Sequence, residues 1–114
     1  MKQKEKLAEL PEGVKKAILD FVDRLCKELK GDLEVYLFGS LARGDWLYES
    51  DIDLIVVSGK FKDIPWFDRY PYLRKFASKD YGFEILAYTP EEFQEVKRRS
   101  IIIKDAMKYW IKLY

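Results

Sequence analysis

The chain has 114 residues, of which 48% are hydrophobic and 36% are charged. This length supports one globular domain, residues 1–114, and excludes a catalytic domain joined to a separate substrate domain. Because 21 basic and 20 acidic residues give a formal net charge of only +1, tight binding of long nucleic acid through many phosphate contacts is also excluded.

Residue types that are absent or rare narrow the chemistry further. There is no His, which removes Ser-His and Cys-His catalysis and the commonest zinc ligand. The single cysteine, Cys26, cannot form an internal disulfide, and no segment is long and apolar enough for a signal peptide or a membrane span. We therefore expect a cytoplasmic protein without membrane contact, whose chemistry rests on carboxylates, hydroxyls, Lys, Arg or Tyr.

The first half of the chain predicts a helix followed by two strands. From Leu7 to Leu29, apolar residues recur every three or four positions, which indicates an amphipathic helix that stops near Gly31. Leu33–Phe38 and Ile52–Val57 are apolar runs of strand length, the second rich in β-branched residues. The stretch between the two strands has room for a helical turn and a loop.

The second half predicts a third strand that lies between helices. Pro65–Lys79 has a helical composition, but Pro71 disfavours helix at the preceding residue and should split the segment. Phe83–Tyr88 has the apolar composition of a strand. This order of elements favours an α+β fold built from two layers.

Capping residues mark the helices of the C-terminal segment. Thr89 can cap a helix, Pro90 suits its first position and Glu92 completes a capping box, so a helix should begin there. Ser100–Trp110 is expected to form a further helix. The final residues, "IKLY", are expected to close the fold as a short edge strand.

Aromatic residues are concentrated between the second strand and the start of the third. Because they are not interleaved with a basic stripe, we expect core packing or a subunit interface for most of them, rather than stacking on bases. They are Trp66, Phe67, Tyr70, Tyr72, Phe76, Tyr81 and Phe83.

Two aspartates mark the start of the second strand. Asp51 and Asp53 are two positions apart, so both side chains project from the same face of the strand. Two carboxylates held this close repel each other unless a positive charge lies between them. Magnesium binds proteins through one or two carboxylates together with substrate phosphates, so it is the cation that this pair best fits.

A Gly-Ser turn upstream of the aspartates offers contacts for a phosphate group. Gly39 allows a tight turn and a close approach of the backbone to a ligand, and Ser40 can donate its hydroxyl to a phosphate oxygen. The Arg43 guanidinium could donate a pair of charged hydrogen bonds to the same phosphate. Ser40 could instead be only a helix cap, and Arg43 only a partner in a surface ion pair.

Taken together, Gly39-Ser40, ten further residues and then Asp51-Ile52-Asp53 resemble the signature of the nucleotidyltransferase superfamily that includes DNA polymerase beta. The form "GSLARGD...SDIDLIV" and the short chain are similar to the minimal nucleotidyltransferases, such as the MntA-like antitoxins of HEPN/MNT modules. The resemblance runs from about Leu33 to Glu92. It implies a polymerase beta-like α+β fold, with a small mixed sheet and helices packed mainly on one face.

The resemblance also implies an activity and a cofactor. Members bind a nucleoside triphosphate with two Mg²⁺ ions and transfer the nucleotidyl group to a hydroxyl, using a third carboxylate on a later strand. Here that carboxylate matches Glu84, where family members often have Asp, and Glu reaches one methylene further. The residues with implied roles are Asp51, Asp53 and Glu84 for metal binding and catalysis, and Gly39, Ser40 and Arg43 for nucleotide binding.

Finally, the resemblance implies a partner. So short a chain leaves almost no room to bind the acceptor, so another protein or a second copy of this chain must bring it. Similar proteins are often paired with HEPN-domain proteins, which implies transfer of AMP from ATP to a HEPN-domain toxin by this chain as its antitoxin. The alternative is a binding module that keeps the fold and neutralises such a partner by steric masking, without catalysis.

Overall fold

The computed structural model describes residues 6–114, which form a mixed α+β fold and so confirm the predicted class. In chain order the elements are α1 (Glu12–Glu28), β1 (Glu34–Phe38), α2 (Gly39–Arg43), β2 (Ile52–Val57), a 3-10 helix (Gly59–Asp63), α3 (Trp66–Arg74), β3 (Phe83–Tyr88), α4 (Pro90–Arg99), α5 (Ile101–Ala106) and β4 (Ile111–Lys112). No helix in residues 6–114 is long and apolar enough to cross a membrane.

The amphipathic N-terminal helix is confirmed, but it begins later than the apolar spacing predicts. α1 begins at Glu12, and Pro11 precedes it with an extended ψ of 144°. Because proline disfavours helix at the residue before it, the spacing that starts at Leu7 runs across a break. At the other end, the Gly31 amide donates to the Cys26 carbonyl and Gly31 adopts a φ of +81°. This left-handed ending is the stop that the sequence predicts.

The predicted strands form one mixed sheet in the order β3-β2-β1-β4. β1 is antiparallel to both β2 and β4, whereas β2 and β3 are parallel. β2 and β3 have the predicted bounds, and β4 is the predicted short strand at the edge of the sheet. Since β2 and β3 are parallel, their first residues lie at the same end of the sheet.

Helices cover both faces of the sheet, so the structure has a third layer beyond the two expected, although the larger core lies on the α1 face, in line with helices packed mainly on one face. Successive residues of β2 alternate between the faces. Leu54 and Val56 enter the larger core with α1, while Ile55 and Val57 enter a smaller core with α4 and α5. Asp53 therefore lies on the α4-α5 face, at the end of the apolar row formed by Ile55 and Val57.

Pro71 does not split its helix, which makes that prediction from the sequence wrong. α3 continues through Pro71. A proline within a helix costs about 3 kcal/mol, and tertiary contacts on both sides of it offset this cost. Leu73 is fully buried in the larger core, and the Tyr70 hydroxyl donates to the Phe83 carbonyl at 3.1 Å. These contacts are made only in the folded chain, so local propensity could not reveal them.

Arg69, also on α3, is a buried cation that sequence reasoning missed. Its side chain is 6% exposed and forms an ion pair with Glu92 at 2.6 Å, which lowers the pKa of Glu92. The guanidinium also donates to the backbone carbonyls of Phe61 at 3.0 Å, Ile64 at 2.9 Å and Ala87 at 3.2 Å. These bonds tie the 3-10 helix, α3, β3 and α4 together.

Replacing Arg69 with Met should lower the free energy of unfolding by about 3 kcal/mol, because three carbonyls and the Glu92 carboxylate lose their donor. Unfolding by denaturant measures this difference. The matched control is Arg98→Met, which removes an exposed ion pair with Glu95 and should change the free energy by less than about 0.5 kcal/mol. Equal effects of the two substitutions would contradict the role given to Arg69.

The capping box predicted at Thr89 is confirmed, and the last helix is shorter than predicted. The Thr89 hydroxyl accepts from the Glu92 amide, and the Glu92 carboxylate accepts from the Thr89 amide. α5 ends at Ala106 instead of Trp110. The Trp110 ring packs on Tyr36 with centroids 4.2 Å apart, and the next residue begins β4. The chain thus leaves the helix early in order to pair with the edge of the sheet.

The aromatic segment divides between core and surface. Four of its seven aromatic residues lie in or against the larger core, as expected: Tyr72, Phe76, Tyr81 and Phe83. The other three lie on α3 and are 53%, 77% and 42% exposed, respectively: Trp66, Phe67 and Tyr70.

Candidate active site

The parallel strands bring Asp53 and Glu84 side by side. Asp53 of β2 is the register partner of Glu84 of β3, and register partners on neighbouring strands project from the same face of a sheet. Asp53 is half-buried, whereas Glu84 is exposed. The sheet thus holds a half-buried carboxylate next to one that a ligand can reach.

Negative charge accumulates around Asp53. Burial raises the pKa of Asp53 to about 7, and the negative charges of Glu84 and Asp51 add to this shift. The positive charge of Arg43 acts in the opposite direction and is a smaller influence. A bound cation would favour the ionised form of these acids and so remove the electrostatic cost.

Gly39 makes room for the Asp53 side chain. Its φ is +74°, and a Cβ atom at this position would overlap Oδ2 of Asp53 and lie 2.9 Å from Cγ. The carboxylate therefore rests directly against the backbone of the Gly-Ser turn. Any side chain at position 39 would be opposed both by the backbone conformation and by this contact.

Gly82 gives the same kind of space to Asp51. A Cβ atom at Gly82 would overlap Oδ1 of Asp51 and lie 3.0 Å from Cγ, and the Gly82 carbonyl accepts from the Ile52 amide at 2.9 Å. Sequence reasoning missed this residue. The sequence gives one indication of its role. Gly82 precedes Glu84 by two residues, just as Asp51 precedes Asp53, so parallel pairing of the two strands places Gly82 beside Asp51.

The Gly-Ser turn opens a short helix next to the carboxylates. Phe38 occupies the N-cap of α2 and no side chain caps it, so Ser40 lies within the first turn and the alternative of a helix cap is excluded. Arg43 donates to Asp45 at 3.2 Å and to the Tyr109 hydroxyl at 3.1 Å. Arg43 is therefore an ion-pair partner that still acts on Asp53 through its charge.

The three predicted metal ligands are not yet gathered around one point. No group of three His, Cys, Asp or Glu side chains in the described part of the chain is close enough to hold a metal ion. Asp53 adjoins Glu84, while Asp51 lies against Gly82. Repulsion among three carboxylates favours such separation. Their oxygens are the donors that magnesium prefers. Burial, together with the negative charges of Glu84 and Asp51, raises the pKa of Asp53, and a bound cation would offset this cost of ionisation.

Comparison with protein families assigns the chain to a class of enzymes. The nucleotidyltransferase domain family matches residues 16–109, a range that contains the Gly-Ser turn, both aspartates and Glu84. The chain therefore belongs to this family, and the resemblance drawn from the sequence is confirmed at that level.

Individual relatives share part or most of the chain. A candidate protein adenylyltransferase of Methanocaldococcus jannaschii is 49% identical over 43 residues, which are 37% of this chain and 43% of that protein, so the match spans less than half of this relative. A candidate nucleotidyltransferase of Sulfolobus solfataricus, with a crystal structure, is 29% identical with a TM-score of 0.60, over 83% of this chain and 77% of that one. Another candidate nucleotidyltransferase crystal structure is 28% identical with a TM-score of 0.55, over 86% and 99%.

The stability of the metal-free protein should depend on pH through Asp53. Because the pKa of Asp53 rises from 3.8 to about 7 on folding, the folded protein binds this proton more tightly than the unfolded chain does. The resulting stability is fully present below about pH 4 and is lost as the pH rises through about 7.

Thermal unfolding in the presence of a chelator, from about pH 4 to pH 8, checks this expectation. Asp53→Asn is the comparison, because its side chain does not titrate. The Tm of the variant minus that of the wild type should grow through this window and then level off. A difference that is the same at every pH would contradict the crowding of charge around Asp53.

Proposed function

We propose that this chain is a magnesium-dependent nucleotidyltransferase that transfers a nucleotidyl group, AMP from ATP, to a hydroxyl on a protein partner. The observation that carries the proposal is the Asp53-Glu84 pair, which is seated against the Gly-Ser turn through Gly39. Membership of the nucleotidyltransferase family supports the transferase class. The name of the Methanocaldococcus jannaschii relative supports a protein as the acceptor.

Asp51, Asp53 and Glu84 are the proposed magnesium ligands. The proposed cofactor, two Mg²⁺ ions, would neutralise the triphosphate and polarise the α-phosphoryl group. Asp53 is the central ligand, since it adjoins Glu84 and senses the charge of Asp51. The Asp51 side chain lies in the space beside Gly82, and the backbone positions of all three acids lie at one end of the β2-β3 pair.

The chain's own groups have distinct proposed roles in the transfer. The acceptor oxygen forms a bond to the α-phosphorus, the bond to the pyrophosphate oxygen breaks, and the acceptor proton passes to the exposed Glu84 carboxylate. Ser40 and the Gly39 backbone hold the departing pyrophosphate, where negative charge develops. Arg43 contributes its positive charge from the same side of the site.

The proposed acceptor is a HEPN-domain protein, with this chain acting as the antitoxin that inactivates it. Such a partner would bring the acceptor hydroxyl to the site. A domain of this size has little additional surface with which to bind a separate acceptor molecule. A second copy of this chain is the other source of an acceptor. The proposed setting is the cytoplasm, where ATP and magnesium are plentiful.

The direct test is incubation of the chain with ATP, magnesium and the candidate HEPN-domain protein, followed by mass spectrometry of the partner. A mass increase of one or more nucleotidyl groups is expected, and it should disappear in Glu84→Gln or when magnesium is withheld. Glu91→Gln, an exposed change in the first turn of α4, is the matched control. Neutralisation of the partner without any mass increase would show steric masking and would overturn the proposed transfer.

Gly82→Ala should weaken magnesium-dependent ATP binding by roughly tenfold, because the added methyl displaces Asp51. Calorimetric titration with ATP in magnesium measures the affinity, and thermal unfolding checks that the fold is kept. Asp51→Asn should weaken binding similarly, and the two changes combined should cost little more than either one. Additive losses would contradict an effect that acts through Asp51.

A further inference from the structure

A cleft lies between α3 and β3, next to Glu84. Its volume is about 420 Å³, and its lining includes Trp66, Phe67, Tyr70, Glu84 and Ile85. The three aromatic side chains are 53%, 77% and 42% exposed. Large aromatic surfaces grouped around a cleft mark an interaction site more often than an ordinary solvent-facing surface.

Two of the three aromatic side chains of the cleft, Trp66 and Tyr70, are held in place before anything binds. The Trp66 ring contacts both the Arg69 guanidinium, 5.5 Å from its centroid, and the Tyr88 ring, 5.4 Å away. Tyr70 is fixed by its hydrogen bond to the Phe83 carbonyl. Because these side chains lose little freedom when a partner docks, the surface is suited to binding.

The position of the cleft relative to Asp53 and Glu84 indicates which reactant binds in it. In-line displacement places the attacking oxygen and the departing pyrophosphate on opposite sides of the α-phosphorus. The Gly-Ser turn follows β1, which lies on one side of β2, while Glu84 and the cleft belong to β3 on the other side. With the pyrophosphate at the Gly-Ser turn, the attacking hydroxyl approaches from the side of the cleft.

We propose that the α3-β3 cleft docks the acceptor protein through an apolar segment that flanks the modified hydroxyl and presents it to Glu84. This inference rests on the proposed transferase function. Phe67 and Trp66 supply the contact area, and Glu84 marks the point where the hydroxyl must arrive. The cleft thereby selects an acceptor whose hydroxyl is surrounded by apolar side chains over one that stands in a polar, glycine-rich loop.

Two synthetic peptides of equal length test the docking surface without requiring catalysis. Each has a central Ser, flanked in one peptide by Leu and Phe and in the other by Gly. In amide NMR spectra of the chain, the apolar peptide should shift signals of α3 and β3, and the Gly peptide should not. Phe67→Ser should weaken this binding by roughly tenfold. Ile101→Ser, which alters a similarly exposed side chain on α5, should leave it unchanged.

Other results would overturn the assignment. Signal shifts confined to another surface, or equal binding of both peptides, would show that the cleft does not dock the acceptor. If ATP with magnesium shifts the signals of Trp66 and Phe67, which lie in the cleft away from the metal ligands, and also blocks the apolar peptide, the cleft holds the nucleobase. If the chain self-associates in a way that Phe67→Ser abolishes, the cleft holds a second copy. Peptide binding needs neither metal nor transfer, so a chain that binds the apolar peptide but not ATP would refute the proposed function separately.

Once an acceptor protein is modified, the same variants separate docking from chemistry. Phe67→Ser should raise the KM for the acceptor while leaving kcat and the affinity for ATP close to those of the wild type. A loss in kcat with an unchanged KM would contradict a docking role.

Discussion

Asp53→Asn is expected to abolish nucleotidyl transfer and, at the same time, to stabilise the metal-free protein at neutral pH. Transfer should fall by roughly a thousandfold or more, because the carboxylate at the centre of the acidic group is lost. The Tm should rise, because burial and the neighbouring charges of Glu84 and Asp51 oppose ionisation of Asp53. Substitution of a core residue lowers stability, whereas substitution of Asp53 should raise stability and abolish activity, which is the pattern expected of a functional residue.

Two measurements on purified proteins check this pair of effects. Mass spectrometry of the partner follows transfer, and thermal unfolding in a chelator follows stability. Asp105→Asn, an exposed change on α5, is the matched control and should alter neither quantity. Retained transfer in Asp53→Asn, or a Tm that falls at neutral pH, would contradict the role of Asp53.

Gly39→Ala is expected to lower transfer by roughly a hundredfold or more, because it pushes the Asp53 carboxylate out of position. Part of any effect will come from backbone strain, since Gly39 has a φ of +74°. Gly44→Ala isolates that part. Gly44 has a φ of +94°, and nothing lies within 4 Å of a Cβ atom built there.

The two alanine variants should therefore lose similar stability, by about 1–3 kcal/mol, while only Gly39→Ala loses most of its activity. Transfer rates at saturating ATP and acceptor, with unfolding measured alongside, make the comparison. If Gly44→Ala loses as much activity as Gly39→Ala, backbone strain in or next to α2 accounts for the loss and the contact with Asp53 does not.

The strands and their chemistry were readable from the sequence because they depend on local patterns. Ile52–Val57 and Phe83–Tyr88 are apolar runs with clear ends, and both were predicted with the observed bounds. The spacing of Asp51 and Asp53 fixes which face they share, whatever the rest of the fold does. The capping box at Thr89 is likewise complete within four residues.

Features that depend on long-range contacts were not readable in this way. The continuity of α3 through Pro71 depends on burial of Leu73 and on a bond to β3. Arg69 looks like a surface residue of an irregular helix until three carbonyls from two other segments, the 3-10 helix with its C-cap and β3, converge on it. Gly82 has meaning only once parallel pairing places it against Asp51.

The side-chain arrangement within the site illustrates the same limit. The pairing of Asp53 with Glu84 follows from strand register, which a sequence suggests only through the family signature. Whether Asp51 joins them is decided by rotamers and by charge balance, because the backbone already lies nearby. A cation that offsets the mutual repulsion of the three carboxylates would favour a rotamer in which Asp51 joins Asp53 and Glu84.

Calorimetric titration of ATP into the wild-type chain and into Asp53→Asn, with and without magnesium, tests most directly whether the acidic end of the β2-β3 pair binds a metal-nucleotide complex. The account predicts binding to the wild type only when magnesium is present, and none to the variant. Equal binding of ATP by both proteins, or binding by the wild type that is unaffected by removal of magnesium, would contradict it.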